Sequence, residues 1–252
     1  MGILDRKQRQ KDEVRASILD TAWQMVVTEG WHSFSIRKIA DAIEYSVPVI
    51  YSHFENKDAI LLEFNRKGFQ HLADALARAK ADQPEPANQI RAMGRAYWKF
   101  AFENKEYYQL MFGLGIPTCE TAIRIPALET FSGVIIGSIT AMVPAGQKPG
   151  FDPWLKYQSF WSMLHGLVSI NMIRLNSPER PIGNEIAPET MATGSTVPET
   201  PTTEKSVHHG ADDETAAPHG DLAQQVLEDV MCSFIRGIQA ALPEPGNHKN
   251  TH

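Results

Sequence analysis

Trp161 and His165 stand four residues apart in the run Trp161-Ser162-Met163-Leu164-His165-Gly166-Leu167, a spacing that puts both on one face of a helix. An indole N–H and an imidazole on a shared face can hold a polar atom of a bound molecule, or satisfy neighbours inside a core. Gly166 beside them leaves room for the approach of another helix. Upstream, Trp98, Phe102, Tyr107, Tyr108, Met111 and Phe112 form an aromatic-rich neighbourhood that suits the wall of an apolar pocket and equally a plain core. The candidate pocket residues are Trp98, Phe102, Tyr107, Met111, Trp161 and His165. His208, His209 and His219 lie among acids in a polar stretch and at that spacing suggest weak metal binding at most, so no metal site is expected. Cys119 and Cys232 are far apart with no C-x-x-C pair, which argues against a disulfide framework or a structural zinc. H-E-x-x-H, G-x-S-x-G, the P-loop and a complete G-x-G-x-x-G are missing from the sequence; neither an enzyme nor a bound cofactor is expected.

A second group offers different chemistry. In Phe34 to Ile60 the apolar residues Ile36, Ile39, Ala40 and Ile43 recur at helical spacing, break at Glu44-Tyr45-Ser46, and restart with Val47-Pro48-Val49-Ile50. Two short helices joined by a tight turn form a helix-turn-helix, whose second helix offers its exposed side chains to the major groove of DNA. Ile39, Ala40, Ile43 and Ile50 pack such a module, while Ser46, Val47, Pro48, Val49 and Ser52 face outward near the start of the second helix.

These residues need elements to hold them. Val14, Ile18, Ala22, Met25 and Val26 mark one face of a first helix, which Gly30 ends. Ser35 and Ser46 stand where the N-caps of the two short helices belong, and Pro48 falls in a first turn, where its missing N–H costs nothing. Asn56 and Asp58 are cap candidates for a fourth helix running to Lys80, and "ADQPEPAN" punctuates the chain after it. Helices follow over 89–104, 105–112, 125–143 and 151–175, the last apolar on nearly every side and so expected to be buried all round. A final helix over 221–242 carries Leu222, Val226, Val230, Phe234 and Ile238 in an i, i+4 row. No stretch alternates with period two for long. The spacing predicts an all-α protein: a three-helix helix-turn-helix DNA-binding domain followed by a second helical domain.

The run Ser35-Ile36-Arg37, Ile39-Ala40, Ser46, Ile50-Tyr51, His53-Phe54, Asn56-Lys57 and Ile60-Leu61 resembles the DNA-binding domain of TetR-family transcriptional regulators over about residues 12–72. The resemblance implies that Tyr51, His53 and Lys57 touch DNA phosphates, that Ser35 and Arg37 meet the backbone beside the groove, and that bases are read from Ser46 to Ser52. Hydroxyl, imidazole and ammonium groups can donate to phosphate oxygens, and small apolar side chains can meet thymine methyls. One departure stands out: the family usually has glycine in the turn, where this chain has Glu44. Trp161-x-x-x-His165-Gly166 is similar to a pattern of one TetR C-terminal class. By resemblance the second domain dimerises and encloses a small effector, apolar or aromatic, that releases a repressor from a near-palindromic double-stranded operator. The alternative is a DNA-binding regulator governed by a protein partner through the same helices.

Charge does not exclude DNA. Between Ser177 and Asp221 nine carboxylates face two cationic side chains; without that segment the net charge of −6 becomes +1. Residues 177–220 are poor in aromatics and rich in Pro, Thr and Glu, which predicts a disordered acidic loop. The domain plan is a basic N-terminal arm over 1–11, the DNA-binding domain over 12–72 with its motif at 35–54, the effector domain over 73–242 interrupted by that loop, and a tail over 243–252. No apolar run reaches the roughly 20 residues of a membrane span. A cytoplasmic homodimer is expected, its interface formed by the helices around 160–175 and 222–242.

Overall fold

The computed structural model describes residues 2–113, 126–144, 150–175 and 219–240, and every regular element among them is helical. α1 runs from Ile3 to Glu29, and a short 3-10 turn at Trp31–Ser33 leads to α2 (Ile36–Ala42) and α3 (Val47–His53). α4 (Lys57–Ala81), α5 (Pro86–Glu103), α6 (Lys105–Phe112), α7 (Pro126–Ala141), α8 (Pro153–Leu175) and α9 (His219–Ala240) build the rest. The expected loop over 177–220 and tail over 243–252 lie outside the described residues, apart from the last two residues of the loop, which begin α9.

α1 ends where Gly30 turns to a φ of +82° and its N–H still reaches the carbonyl of Val26 at 2.8 Å. At the other end it departs from the sequence plan: the residues expected as a loose basic arm continue the helix from Ile3. A helix already paid for by packing at Ile18, Leu19, Ala22 and Val26 propagates outward at the cost of one residue's freedom per hydrogen bond.

α4 joins the two halves. The boundary expected between residues 72 and 73 falls inside it, so no break in the helix separates the domains. Its first turns pack on α1, where Trp23 meets Phe64 at 5.3 Å between ring centroids. Asn56 caps it, its Oδ1 accepting from the Ala59 N–H at 2.9 Å. At Gly68, where α4 meets α6, a Cβ would lie 2.6 Å from the Met111 sulfur, so a larger residue there would require the Met111 side chain to move.

α8 is not buried on every side. Phe160, Leu164, Val168 and Met172 face the core, while Ile170 and Ile173 remain 55% and 65% exposed. On α9, Leu227, Met231 and Ile235 are buried and Leu222 and Val226 are exposed. Phe234, from the row expected at an interface, packs within its own protomer on Phe160 at 5.4 Å. A Cβ built on Gly166 would meet no other group within 4 Å among the described residues, so none of the described helices makes the close approach expected there.

Candidate functional site

The first site is the α2–α3 module. Ile39, Ala40 and Ile50 are buried and Ile43 partly so, which fixes α3 against α2 and α1. The turn between them closes by two backbone bonds, Glu44 N–H to Asp41 O at 3.2 Å and Tyr45 N–H to Ala40 O at 3.0 Å. This is the Schellman pattern, which requires its middle residue in the left-handed region. Glu44 adopts it, with φ +59°, the only non-glycine residue with positive φ among those described. The chain keeps the turn that glycine makes easily and carries the strain of a Cβ there.

Ser35 and Ser46 occupy the N-cap positions of α2 and α3, yet neither hydroxyl caps its helix. Arg37, Ser46, Pro48, Tyr51, Ser52 and Lys57 are exposed, and Ser35 is half-buried. Tyr51 turns out of the core, 49% exposed. Val47 and Val49 are half-buried rather than fully outward, and Val47 packs against the core. The Ser52 hydroxyl donates to the Val49 carbonyl at 2.7 Å, leaving its lone pairs as acceptors. Lys57 rests its ammonium 5.0 Å from the Phe34 ring centroid.

His53 is half-buried, with Nδ1 enclosed and unpartnered. Burial, and then the charges of Lys11 and Arg15, hold it below the usual histidine range. Arg15 itself lies 4.7 Å over the Phe54 ring and bonds Glu63 at 2.7 Å. The basic side of α1 thus abuts the C-terminal end of α3. Sequence spacing alone could not show this, since the contact joins residues about 40 positions apart.

The second site lies between α5, α6 and α8. Tyr97 and Tyr108 are fully buried, and their hydroxyls meet at 2.9 Å. The Tyr108 hydroxyl reaches His165 Nδ1 at 2.7 Å, and His165 Nε2 is 3.5 Å from the Ser169 hydroxyl. Burial lowers the basicity of His165, so the ring is neutral near pH 7 and one nitrogen must accept. With Nδ1 as the acceptor, Tyr97 O–H donates to Tyr108, Tyr108 O–H donates to Nδ1, and Nε2–H points to Ser169; the other tautomer reverses each direction. Burial likewise raises both tyrosines far above the ordinary phenol range, and Trp161 acts on Tyr97 in the opposite sense. The Trp161 N–H is near the Tyr97 hydroxyl without meeting hydrogen-bond geometry, and its nitrogen is buried and unpartnered. Aromatic faces surround the chain: Phe112 lies 4.8 Å from His165 and 6.0 Å from Trp161, and Tyr157 stacks on Trp161 at 6.3 Å.

The six pocket candidates therefore do not converge. Trp161 and His165 come together; Trp98 and Phe102 pack on each other, tilted, at 4.5 Å along α5; Met111 fills the notch at Gly68. Tyr107 turns the other way, stacking on Trp23 at 3.8 Å and meeting His71 edge-on at 5.4 Å. Tyr97 and Tyr157 join the site without having been singled out in the sequence. Tyr108 and Phe112 belonged to the aromatic stretch, and their helical phase relative to Tyr107 was the available clue. His208 and His209 lie outside the described residues and His219 begins α9; among the described residues no cluster of His, Cys, Asp and Glu could hold a metal.

Residues 18–64 match the family described as bacterial regulatory proteins, tetR family, and residues 90–175 match the tetracyclin repressor-like C-terminal domain. Together the two matches cover more than half of the chain, and the protein belongs to the TetR family. It is 28% identical over 102 residues to the HTH-type transcriptional activator FasR of Mycolicibacterium smegmatis, a match spanning 40% of this chain and 47% of that protein. It is 21% identical over 144 residues to the HTH-type transcriptional repressor NicS of Pseudomonas putida, spanning 57% of this chain and 68% of the relative. In three dimensions it is similar to the transcriptional regulator FadR from Bacillus subtilis, solved in complex with stearoyl-CoA. That match has a TM-score of 0.53 and 17% identity, over 64% of this chain and 89% of the other.

Proposed function

We propose that the protein is a cytoplasmic, homodimeric transcriptional regulator that binds a near-palindromic operator and leaves it when a small effector enters the helical domain. One observation carries the reading: α6 places adjacent tyrosines on the two sites. Tyr107 stacks on Trp23 of α1, and Tyr108 bonds His165 of α8. The Trp31 indole adds a bond to the Glu106 carbonyl at 3.1 Å. A shift of this eight-residue helix changes both contacts at once. In the dimer, altered α1 and α4 positions change the spacing of the two α3 helices, and DNA binding depends on that spacing.

Ser35, Arg37, Tyr51, His53 and Lys57 hold phosphates, while Ser46, Val47, Pro48, Val49 and Ser52 face the bases. Arg37 is the one side chain among these able to form a bidentate bond to guanine; the remainder offer hydroxyl and apolar contacts. The effector is small, apolar or aromatic, and carries an acceptor atom for the unpartnered Trp161 N–H. Stearoyl-CoA, the ligand of the FadR crystal, carries an apolar chain on a large polar carrier, and only that chain matches the description; the likeness to FadR itself speaks only for the fold. Relatives named as an activator and as a repressor each match part of this sequence. Release by effector favours repression here. The exposed rows of α8 and α9 supply the dimer interface.

Selection of duplexes from a random pool by the purified protein tests the reading. Enrichment of a near-palindrome is expected; recovery of no preferred sequence would overturn it.

A further inference from the structure

The buried stripe of α1 does not stop where the compact domain stops. Ile18, Leu19, Ala22 and Val26 line one face; Arg15 and Lys11 continue it backward, and Lys7, a further step of four, is turned by ~40° from Lys11 toward the edge of that face. Its chemistry changes from apolar to cationic. Residues 4–13 are all exposed, so no described part of the protomer covers them. Of the carboxylates in these turns, Asp5 accepts the Gly2 N–H at 3.0 Å, Asp12 accepts from Gln8 at 2.9 Å, and Glu13 is exposed.

The direction of this row is fixed at three points. Trp23, toward the C-terminal end, stacks on α6 of the effector domain. Arg15 is pinned between Phe54 and Glu63. Lys11, one turn further out, lies close enough to act on His53 at the end of α3. Passing from Trp23 to Lys11 therefore leads away from the effector domain and past the DNA-facing end of the module. Lys7 lies about 6 Å beyond Lys11, one helical turn at ~1.5 Å per residue.

We infer that Lys7 and Lys11, presented on the helical extension of α1, form a second phosphate-binding surface that grips duplex DNA flanking the segment met by α3. The inference rests on the regulator reading but adds residues outside the helix-turn-helix motif. A rigid helix suits the task, because the ammonium groups are already held beside the module and lose little freedom on binding. The occupant is the DNA backbone rather than its bases: two flexible ammonium groups neutralise phosphates and read no sequence.

The test uses an operator selected by the full-length protein, in a long form with flanking sequence and a short form trimmed to the palindrome. Lys7→Gln with Lys11→Gln keeps an exposed helix of similar propensity. On the long duplex the slope of log affinity against log salt should flatten by roughly 3–4, from about 0.9 per phosphate for two lysines in each protomer. The protected footprint should shorten at both outer edges. On the short duplex the variant and the parent should bind alike. An unchanged slope and footprint on the long duplex would overturn the inference while leaving the regulator reading intact. An equal loss on both duplexes would overturn it too, by placing the lysines on the central site. A parent protein that binds no duplex would overturn both.

Discussion

Glu44 offers a prediction that can be worked from backbone geometry alone. Its φ of +59° and the paired bonds from Glu44 N–H to Asp41 and from Tyr45 N–H to Ala40 hold it in the left-handed region. For a residue with a Cβ that region costs about 1–2 kcal/mol. Glycine avoids the cost but loses roughly 0.5–1 kcal/mol more chain entropy on folding. Glu44→Gly should therefore stabilise the protein by about 0.5–1 kcal/mol, raising the thermal midpoint by roughly 1–4 °C for a chain of this size. Urea denaturation followed by circular dichroism reads the change as a higher midpoint at constant slope. Glu44→Ala is the control: it retains the Cβ, and should gain almost nothing. Because the turn already has the conformation glycine would choose, operator affinity of Glu44→Gly should stay within about threefold of the parent. A destabilised Gly variant, or an Ala variant that gains as much, would refute the strain argument.

Three further outcomes follow from the second domain. Tyr108→Phe removes the hydroxyl that bonds both His165 and Tyr97 from a buried site, and should cost about 1–3 kcal/mol by urea denaturation. His165 is held below the usual histidine range by burial, and His53 by burial and by Lys11 and Arg15; the unfolded chain thus takes up protons first. Their stability contribution is complete above about pH 6.5 and is lost as pH falls through their folded values, so His165→Asn should weaken the pH dependence of the urea midpoint between pH 7.5 and 5.5. Ile173→Asp with Val226→Asp alters side chains that are exposed in the protomer, and should yield folded monomers by sedimentation; an intact dimer would place the interface elsewhere.

Periodic, local features of this fold were legible in the sequence. The helices at 36–42, 47–53 and 105–112 fall within one residue of their expected ends, because capping positions and apolar spacing are properties of neighbouring residues. What was not legible came from tertiary contact. The N-terminal residues read as an arm because they lack apolar partners, yet the packed part of α1 propagates through them. Phe234 and Ile173 both look apolar in sequence, and only packing against Phe160 assigns one to the core and leaves the other outside. Aromatic composition pointed to the region of the second site, but the phase of α6 separates Tyr107 from Tyr108. Tyr97 and Tyr157 came from other helices altogether.

The most direct measurement is the salt dependence of operator binding for the parent, Lys57→Ala and Val49→Ala. Lys57 begins α4, exposed beside the helix-turn-helix module. If it meets one phosphate in each half-site, its loss should weaken binding to all sequences and flatten the log–log slope by about two units per dimer. Val49→Ala should change base preference and leave the slope nearly alone, since an apolar side chain releases no ions. Unchanged affinity and slope for Lys57→Ala on a selected operator would contradict the placement of this module on DNA.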